Sequence, residues 1–463
     1  MKNLKCLFTF FCILPFYHTG DGLAQSDKEL IELQNQIRID KFDQILPQVM
    51  REHNIDMWIQ VMRSGNYDPL ATDMGSNSGV FIFTDNGGDR IERAVFDYSE
   101  EGLAECGAYD LVTRPERRMP LPVYYDLYGA EFPGDEKTEL DYRFRGVGEY
   151  VAERDPQRIA INYLEDIGSP VEFEIPMLRF DGISLTDYLL LSKEIGEKYS
   201  DRIVSAEYLI TDYLARPVES EIEYYKIIRK DISETIDAGF NSIVPGETRW
   251  GDMDNARSLV DKDGNRGRRD HVIQGGDLIC LAAGLQSGYL ERGWRYGNFC
   301  EVSFEYGYVL KEGENELPPK YKQAWDDVLK VRKILDKNII VGRTAGETFE
   351  ILKKKLDEAG YIYINNQDFD EDQDMSKSQV PLDLHAAGKG IYAPRIGPLG
   401  PDWQRNMVLP MYHHFYMEYW VYQPMPEWGD GKYMSIQLHD GVIATEKGLE
   451  YFAPHPSEIR LIR

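Results

Sequence analysis

Apolar positions recur at helical spacing near the start of the chain. Leu30, Ile31, Leu33, Ile37, Phe42, Ile45, Leu46 and Val49 fall on the three-to-four-residue interval of an amphipathic helix. The pattern predicts helix over residues 26–53. The interval then shortens. "MWIQVMR", "GVFIFTD", "RAVFDY" and "RIAINYL" are short apolar runs, and they predict strands. "TDYLLLSKEIGEKY" returns to helical spacing. Strands mixed with helices over residues 27–210 predict one α/β domain.

A long helical pattern opens the second half. Pro217 and Ser220 are start signals, and Gly239 marks the expected end. "HVIQGGDLICLAAG" predicts a turn and a buried strand, and "YGYVLKEGE" predicts another strand. "PPKYKQAWDDVLKVRKILDKNI" and "GRTAGETFEILKKKLDEAG" predict two helices. From residue 361 the pattern is strands and loops. "PGET" and "GRTAGET" form a faint internal repeat of two related halves. A chain of 463 residues predicts two domains, with the boundary near Arg216: residues 25–215 and 216–463.

Composition narrows the function classes. Hydrophobic residues make up 42% of the chain, enough for packed cores. The formal charge of −27 argues against nucleic acid, whose phosphates need a basic surface. Residues 1–24 read as a signal peptide: Lys2 and Lys5, an apolar run from Cys6 to Phe16, then the small-residue site Gly22-Leu23-Ala24. The expected location is secreted or periplasmic, with no stable membrane span after cleavage. Cys106, Cys280 and Cys300 lie outside the signal. An odd number is a poor disulfide framework, and Cys280 reads as core. "DKDGNRG" (261–267) and "DFDEDQD" (368–374) lack the glycine placement of a calcium loop, and both read as solvated acidic loops.

Candidate chemistry gathers in "DLHAAGKGIYAPRIGP", Asp383 to Pro398. One of only eight histidines, His385, sits there among small residues that let the backbone pass close to a ligand. Downstream, "YHHFYMEYWVYQPMPEW" places Glu418 among aromatic residues, where it needs a partner. The density of rings there suits sheet core or the wall of a pocket for an apolar ring. His413 and His414 are adjacent, so on a strand they point to opposite faces, and both read as surface histidines. His271, in a turn before a strand, reads as exposed.

The order of these segments resembles the pita-bread metallopeptidase family, which includes methionine aminopeptidase, aminopeptidase P, prolidase and creatinase. "RPVESEIE", "VPGET", "HVIQGGDLICLAAG", "YVLKEGE", "GRTAGET", "HAAG" and "PMPEWGDGKYMSIQLHDGVI" follow in the family's order across the second half. Residues 27–210 resemble the creatinase-type amino-terminal domain. The resemblance implies an α/β (α+β) chain, a creatinase-like domain followed by a pita-bread domain. It implies substrates with an amino-terminal residue followed by proline, and a homodimer as a candidate state.

It also implies a two-metal centre of two aspartates, a histidine and two glutamates. Matched position by position, that centre is incomplete. His385 fits the histidine, with Lys389 as a rival placement, and Glu418 fits the first glutamate. Ala282 stands for the first aspartate and His439, with Asp440 beside it, for the last glutamate. The second aspartate aligns with Arg292, or with Val302 with Glu301 adjacent. Two metals therefore have too few bridging carboxylates. At most one divalent zinc, manganese or cobalt is expected, on His385, Glu418 and His439, or none. Three readings follow. One is a peptidase-like hydrolase with a rearranged metal site. Another is a metal-independent C–N hydrolase in the manner of creatinase, with His385 as general base and Glu418 its partner. The third is a non-catalytic protein that binds a peptide or small molecule.

Overall fold

The computed structural model describes residues 27–66, 68–97, 106–113, 142–165, 182–287, 299–365, 368–388, 393–399 and 402–463. The signal segment, Arg292 and Lys389 lie outside these residues. Among the described residues, no helix is long and apolar enough to cross a membrane.

The first apolar stripe folds as Asp27–Asp40 and Leu46–Glu52, joined by a π-helical turn at Lys41–Ile45. Ile37, Phe42, Leu46 and Val49 are buried, as the spacing requires. The interruption falls where Lys41 turns inward. Its ammonium is fully buried and donates to the carbonyls of Tyr213 and Arg216, at 2.7 and 2.8 Å. Those carbonyls sit at the end of helix Glu207–Ala215 and just beyond it.

Six strands form the first sheet: β1 (Met57–Met62), β2 (Gly79–Thr84), β3 (Glu92–Phe96), β4 (Leu111–Thr113), β5 (Ile159–Ile161) and β6 (Ile203–Ser205). Their order is β4-β3-β2-β1-β5-β6, and pairing is mixed. Both faces of β1 and β2 are covered, which explains their largely apolar runs, with Gln60 the polar residue inside β1.

Helix Glu219–Asn241 opens the second half. The Glu221 carboxylate accepts from the Val218 N–H at 2.9 Å and so caps the first turn. The helix runs past Gly239, the expected stop. That glycine is instead a point of close approach, since a Cβ there would lie 2.1 Å from the Asn255 side chain.

One sheet then holds β7 (Ala256–Val260), β8 (Leu278–Ser287), β9 (Phe299–Val309) and the late strand β15 (Arg460–Ile462), in the order β15-β9-β8-β7. The other holds β10 (Ile362–Tyr363), β11 (Gln379–Val380), β12 (His414–Pro424), β13 (Tyr433–Thr445) and β14 (Gly448–Tyr451) in sequence. Helices Pro319–Asn338 and Ala345–Glu358 pack on this half, and a reciprocal Thr344–Glu347 cap starts the second of them. One apolar core includes Phe42 and Tyr213 from the first half and Ile279, Ile443 and Ile462 from the second.

Candidate functional site

Three neighbouring stretches carry the candidate side chains. β12 and β13 pair antiparallel, and Glu418 stands directly opposite His439. Residues 382–387 run beside β12 through isolated bridges, Leu382 to Tyr419 and Ala386 to Phe415. The His385 carbonyl accepts from the Tyr416 N–H at 3.0 Å, and the Glu418 carbonyl from the Asp383 N–H at 3.0 Å. This pairing delivers His385 to Glu418, although their motifs are about thirty residues apart in sequence.

The resulting group is tight. His385 Nε2 lies 3.3 Å from Glu418 Oε2, and His439 Nε2 lies 3.8 Å from the same oxygen. One donor atom from each residue falls within 4.8 Å of the others, and no further group of three such residues occurs among the described residues. Gln437 donates from Nε2 to the other carboxylate oxygen, Glu418 Oε1, at 2.8 Å. His385 Nδ1 faces the Ala386 carbonyl at 3.1 Å. Tyr416 and Phe304 flank the imidazoles: their rings lie 4.4 and 5.0 Å from that of His439.

One carboxylate faces two imidazoles, so their protons compete. Burial disfavours charge on His385. The hydrogen bond to Glu418 and the charges of Asp383 and Glu418 outweigh it, and its pKa rises above the ordinary histidine value. Burial dominates at His439 and pulls it down to about 4. Burial also favours a neutral Glu418. The imidazole charges and the hydrogen bonds from His385 and Gln437 prevail there, and its pKa falls. The rise at His385 and the fall at His439 favour His385 for the proton; it is also closer to the carboxylate, and His439 Nδ1 has no hydrogen-bond partner among the described residues.

Among the described residues, the other expected positions add no ligand to this group. Ala282 on β8 stands opposite Phe304 on β9, and both side chains are apolar. Neither Val302 nor Glu301 joins the three-residue group. Val302 packs against the apolar core. The Glu301 carboxylate accepts from the Gly441 N–H at 3.0 Å and lies 3.3 Å from His414 Nε2. Asp440, beside His439 in sequence, is held elsewhere by Ser303 at 2.8 Å, His455 at 2.9 Å and Arg229 at 3.4 Å. A bridged pair of divalent ions needs several anionic oxygens, and this donor set does not fit one.

Two expectations need correction. His413 and His414 are fully buried, because this end of β12 lies under the core rather than at the surface. Burial drives both of them down to about 3. His271 is not exposed: its Nε2 lies 2.7 Å from the buried Asp277 carboxylate, which anchors the turn before β8.

Residue-by-residue reading missed Gln437, Arg257 and the Asp383–Arg395 pair. Arg257 donates to Gln437 Oε1 at 3.2 Å and lies over the Phe304 ring at 5.1 Å. Arg395 grips Asp383 with two bonds of 2.7 Å. The signal for Gln437 was present. It precedes His439 by two residues, so a strand puts both on one face.

No protein-family model matches this chain. No curated protein matches it. Solved structures do. An X-Pro aminopeptidase from Thermotoga maritima MSB8 matches with 15% identity and a TM-score of 0.54, over 90% of this chain and 100% of that one. An Xaa-Pro dipeptidase from Bacillus anthracis matches with 16% identity and a TM-score of 0.48, over 92% of this chain and 100% of that one. At such identities the likeness is one of fold. The chain has the pita-bread fold of the X-Pro aminopeptidases and prolidases, preceded by a creatinase-like α/β sheet.

Proposed function

We propose that the protein is an exported, hydrolase-like member of this fold that takes a peptide or small amide ligand at His385, Glu418 and His439. It works without the two-metal centre, and its Xaa-Pro aminopeptidase activity is absent or very weak. The observation that supports this reading is Ala282, which the resemblance matches to the first aspartate and which faces the apolar Phe304 across the strands. Export rests on the signal-like residues 1–24.

The chain's own groups can still move a proton. His385 holds one against Glu418, and Gln437 fixes the carboxylate from its far side. As a neutral imidazole, His385 can take a proton from water as the water oxygen bonds to the substrate carbonyl carbon, and then give that proton to the leaving nitrogen as the C–N bond breaks. A metal-independent hydrolase is the second reading, favoured by this 3.3 Å contact. Chelator-resistant turnover would distinguish it.

The test is cleavage of Xaa-Pro peptides after loading with manganese, cobalt or zinc. The expected result is no turnover, or turnover at the detection limit. Robust metal-dependent cleavage would overturn the proposal.

A further inference from the structure

The face of β12 that carries Glu418 continues past the site. Trp420 and Tyr422 follow at alternate positions and share that face. Tyr419 and Val421, between them, pack into the main core on the other side. At about 3.3–3.4 Å per residue, Trp420 stands about 7 Å along the strand from Glu418. It lies opposite Gln437, the residue that holds the Glu418 carboxylate. Trp420 and Tyr422 belong to a small separate cluster with Ile364 and Phe369, against which Tyr433 packs.

Phe369 differs from the rest of its loop, which joins β10 to β11. Asp368, Glu371, Asp372 and Asp374 are exposed, whereas the Phe369 ring is buried. That ring lies 4.2 Å from Tyr433 and nearly parallel to it, at 18°. It meets Tyr422 edge-on at 6.0 Å. Tyr422 and Tyr433 are themselves almost perpendicular, at 87°. Two tyrosines set at a right angle make a slot for one flat ring, and Phe369 fills it. Two hydrogen bonds of 2.8 Å between the Asp370 backbone and the Gln379 amide fasten the loop to β11. Withdrawal of the ring is thus a local event that leaves the β12–β13 ladder intact.

We propose that this slot is a ring subsite of the ligand pocket, that Phe369 is a built-in plug in it, and that the ligand carries an aromatic ring beside its amide. The inference rests on the reading that His385, Glu418 and His439 take a peptide or small amide. The slot selects a flat ring over proline, which has no aromatic face. Each stacked or edge contact favours an aromatic ring by about 2–10-fold in affinity. Self-occupancy lowers the apparent affinity by the fraction of molecules with the slot open, so removing the plug should raise it.

The test uses N-acetylphenylalaninamide and N-acetylprolinamide as probes, with calorimetry and hydrogen exchange. In the unaltered chain, excess phenylalanine probe should speed exchange at residues 368–376 and leave β12 and β13 protected. Phe369→Ala, its fold checked by circular dichroism, should bind that probe at least tenfold tighter than the unaltered chain does, and at least tenfold tighter than the proline probe. Adding His385→Ala should remove most of the gain, because the amide end then loses its partner. Unchanged exchange in the loop, no gain in Phe369→Ala, or equal affinity for the two probes overturns the inference. If Phe369→Ala does not fold, the exchange result in the unaltered chain decides alone. Tight binding to Phe369→Ala that ignores His385 marks a mere cavity. The inference then falls, while the proposed function stands if His385→Ala alone weakens binding of the proline probe. If His385→Ala weakens neither probe in either chain, both fall.

Discussion

Glu301 is a carboxyl group with no exposed surface, and it faces His414, an imidazole buried as deeply. Their 3.3 Å separation would suit an ion pair. Burial argues otherwise. It pushes Glu301 up to about 8, against the opposing charge of Arg229. It pulls His414 down to about 3. Near neutral pH the pair is therefore a neutral acid facing a neutral imidazole. The consequence for stability has a definite sign. The folded chain keeps the Glu301 proton up to about pH 8, while the unfolded chain loses it near the ordinary value of 4.5. Between these values the native state binds more protons, so stability falls as pH rises. The loss across the window is on the order of a few kcal/mol. Glu301→Gln keeps the shape without the proton. Urea unfolding at pH 5.5 and pH 8.5 should show a smaller decline for the variant than for the parent. Equal declines would show that Glu301 is ionised in the fold. At this scale the sequence singled out His385, Glu418 and His439 as candidates, but not their surroundings. Phe304 and Ala282 are ordinary apolar residues, and only cross-strand register shows that they face each other.

The β12–β13 hairpin is the element that builds the site. Alternation puts Gln437, His439 and Gly441 on one face of β13, and Glu418 and Tyr416 stand opposite the last two. Gly441 is required there. A Cβ at this position would lie 2.0 Å from Glu301 Oε2. Gly441→Ala should therefore destabilise by about 1–3 kcal/mol through overpacking. Combining it with Glu301→Ala should cost less than the sum of the two single changes, because the second removes what the methyl strikes. Strict additivity in a double-mutant cycle would show that the two residues do not touch. Elements were legible in the sequence where their pattern was long. The helix at Glu219–Asn241 and the strands around "GVFIFT" and "LICLAA" follow from periodicity alone. The stretch carrying His385 is different. It joins its sheet through single bridges, so it has no alternating run to read. Family order located it where local pattern could not. The π-helical turn at Lys41 was also invisible, because a lysine at that spacing reads as solvent-facing, and only the distant carbonyls of Tyr213 and Arg216 explain its burial.

Across the whole molecule, fold and chemistry separate. One apolar core draws on both halves of the chain, and Lys41 ties the first helical segment to the start of the second half. The fold is like that of the X-Pro aminopeptidase structure, and at the candidate site the one carboxylate, Glu418, stands between His385 and His439, while Ala282 faces Phe304. The central claim is that this scaffold cannot hold two catalytic ions. Anomalous diffraction from crystals grown with excess zinc or manganese tests it directly. The account predicts one peak at most in the pocket, in bonding contact with His385, Glu418 and His439. Two peaks about 3.5–4 Å apart, sharing Glu418, would contradict it.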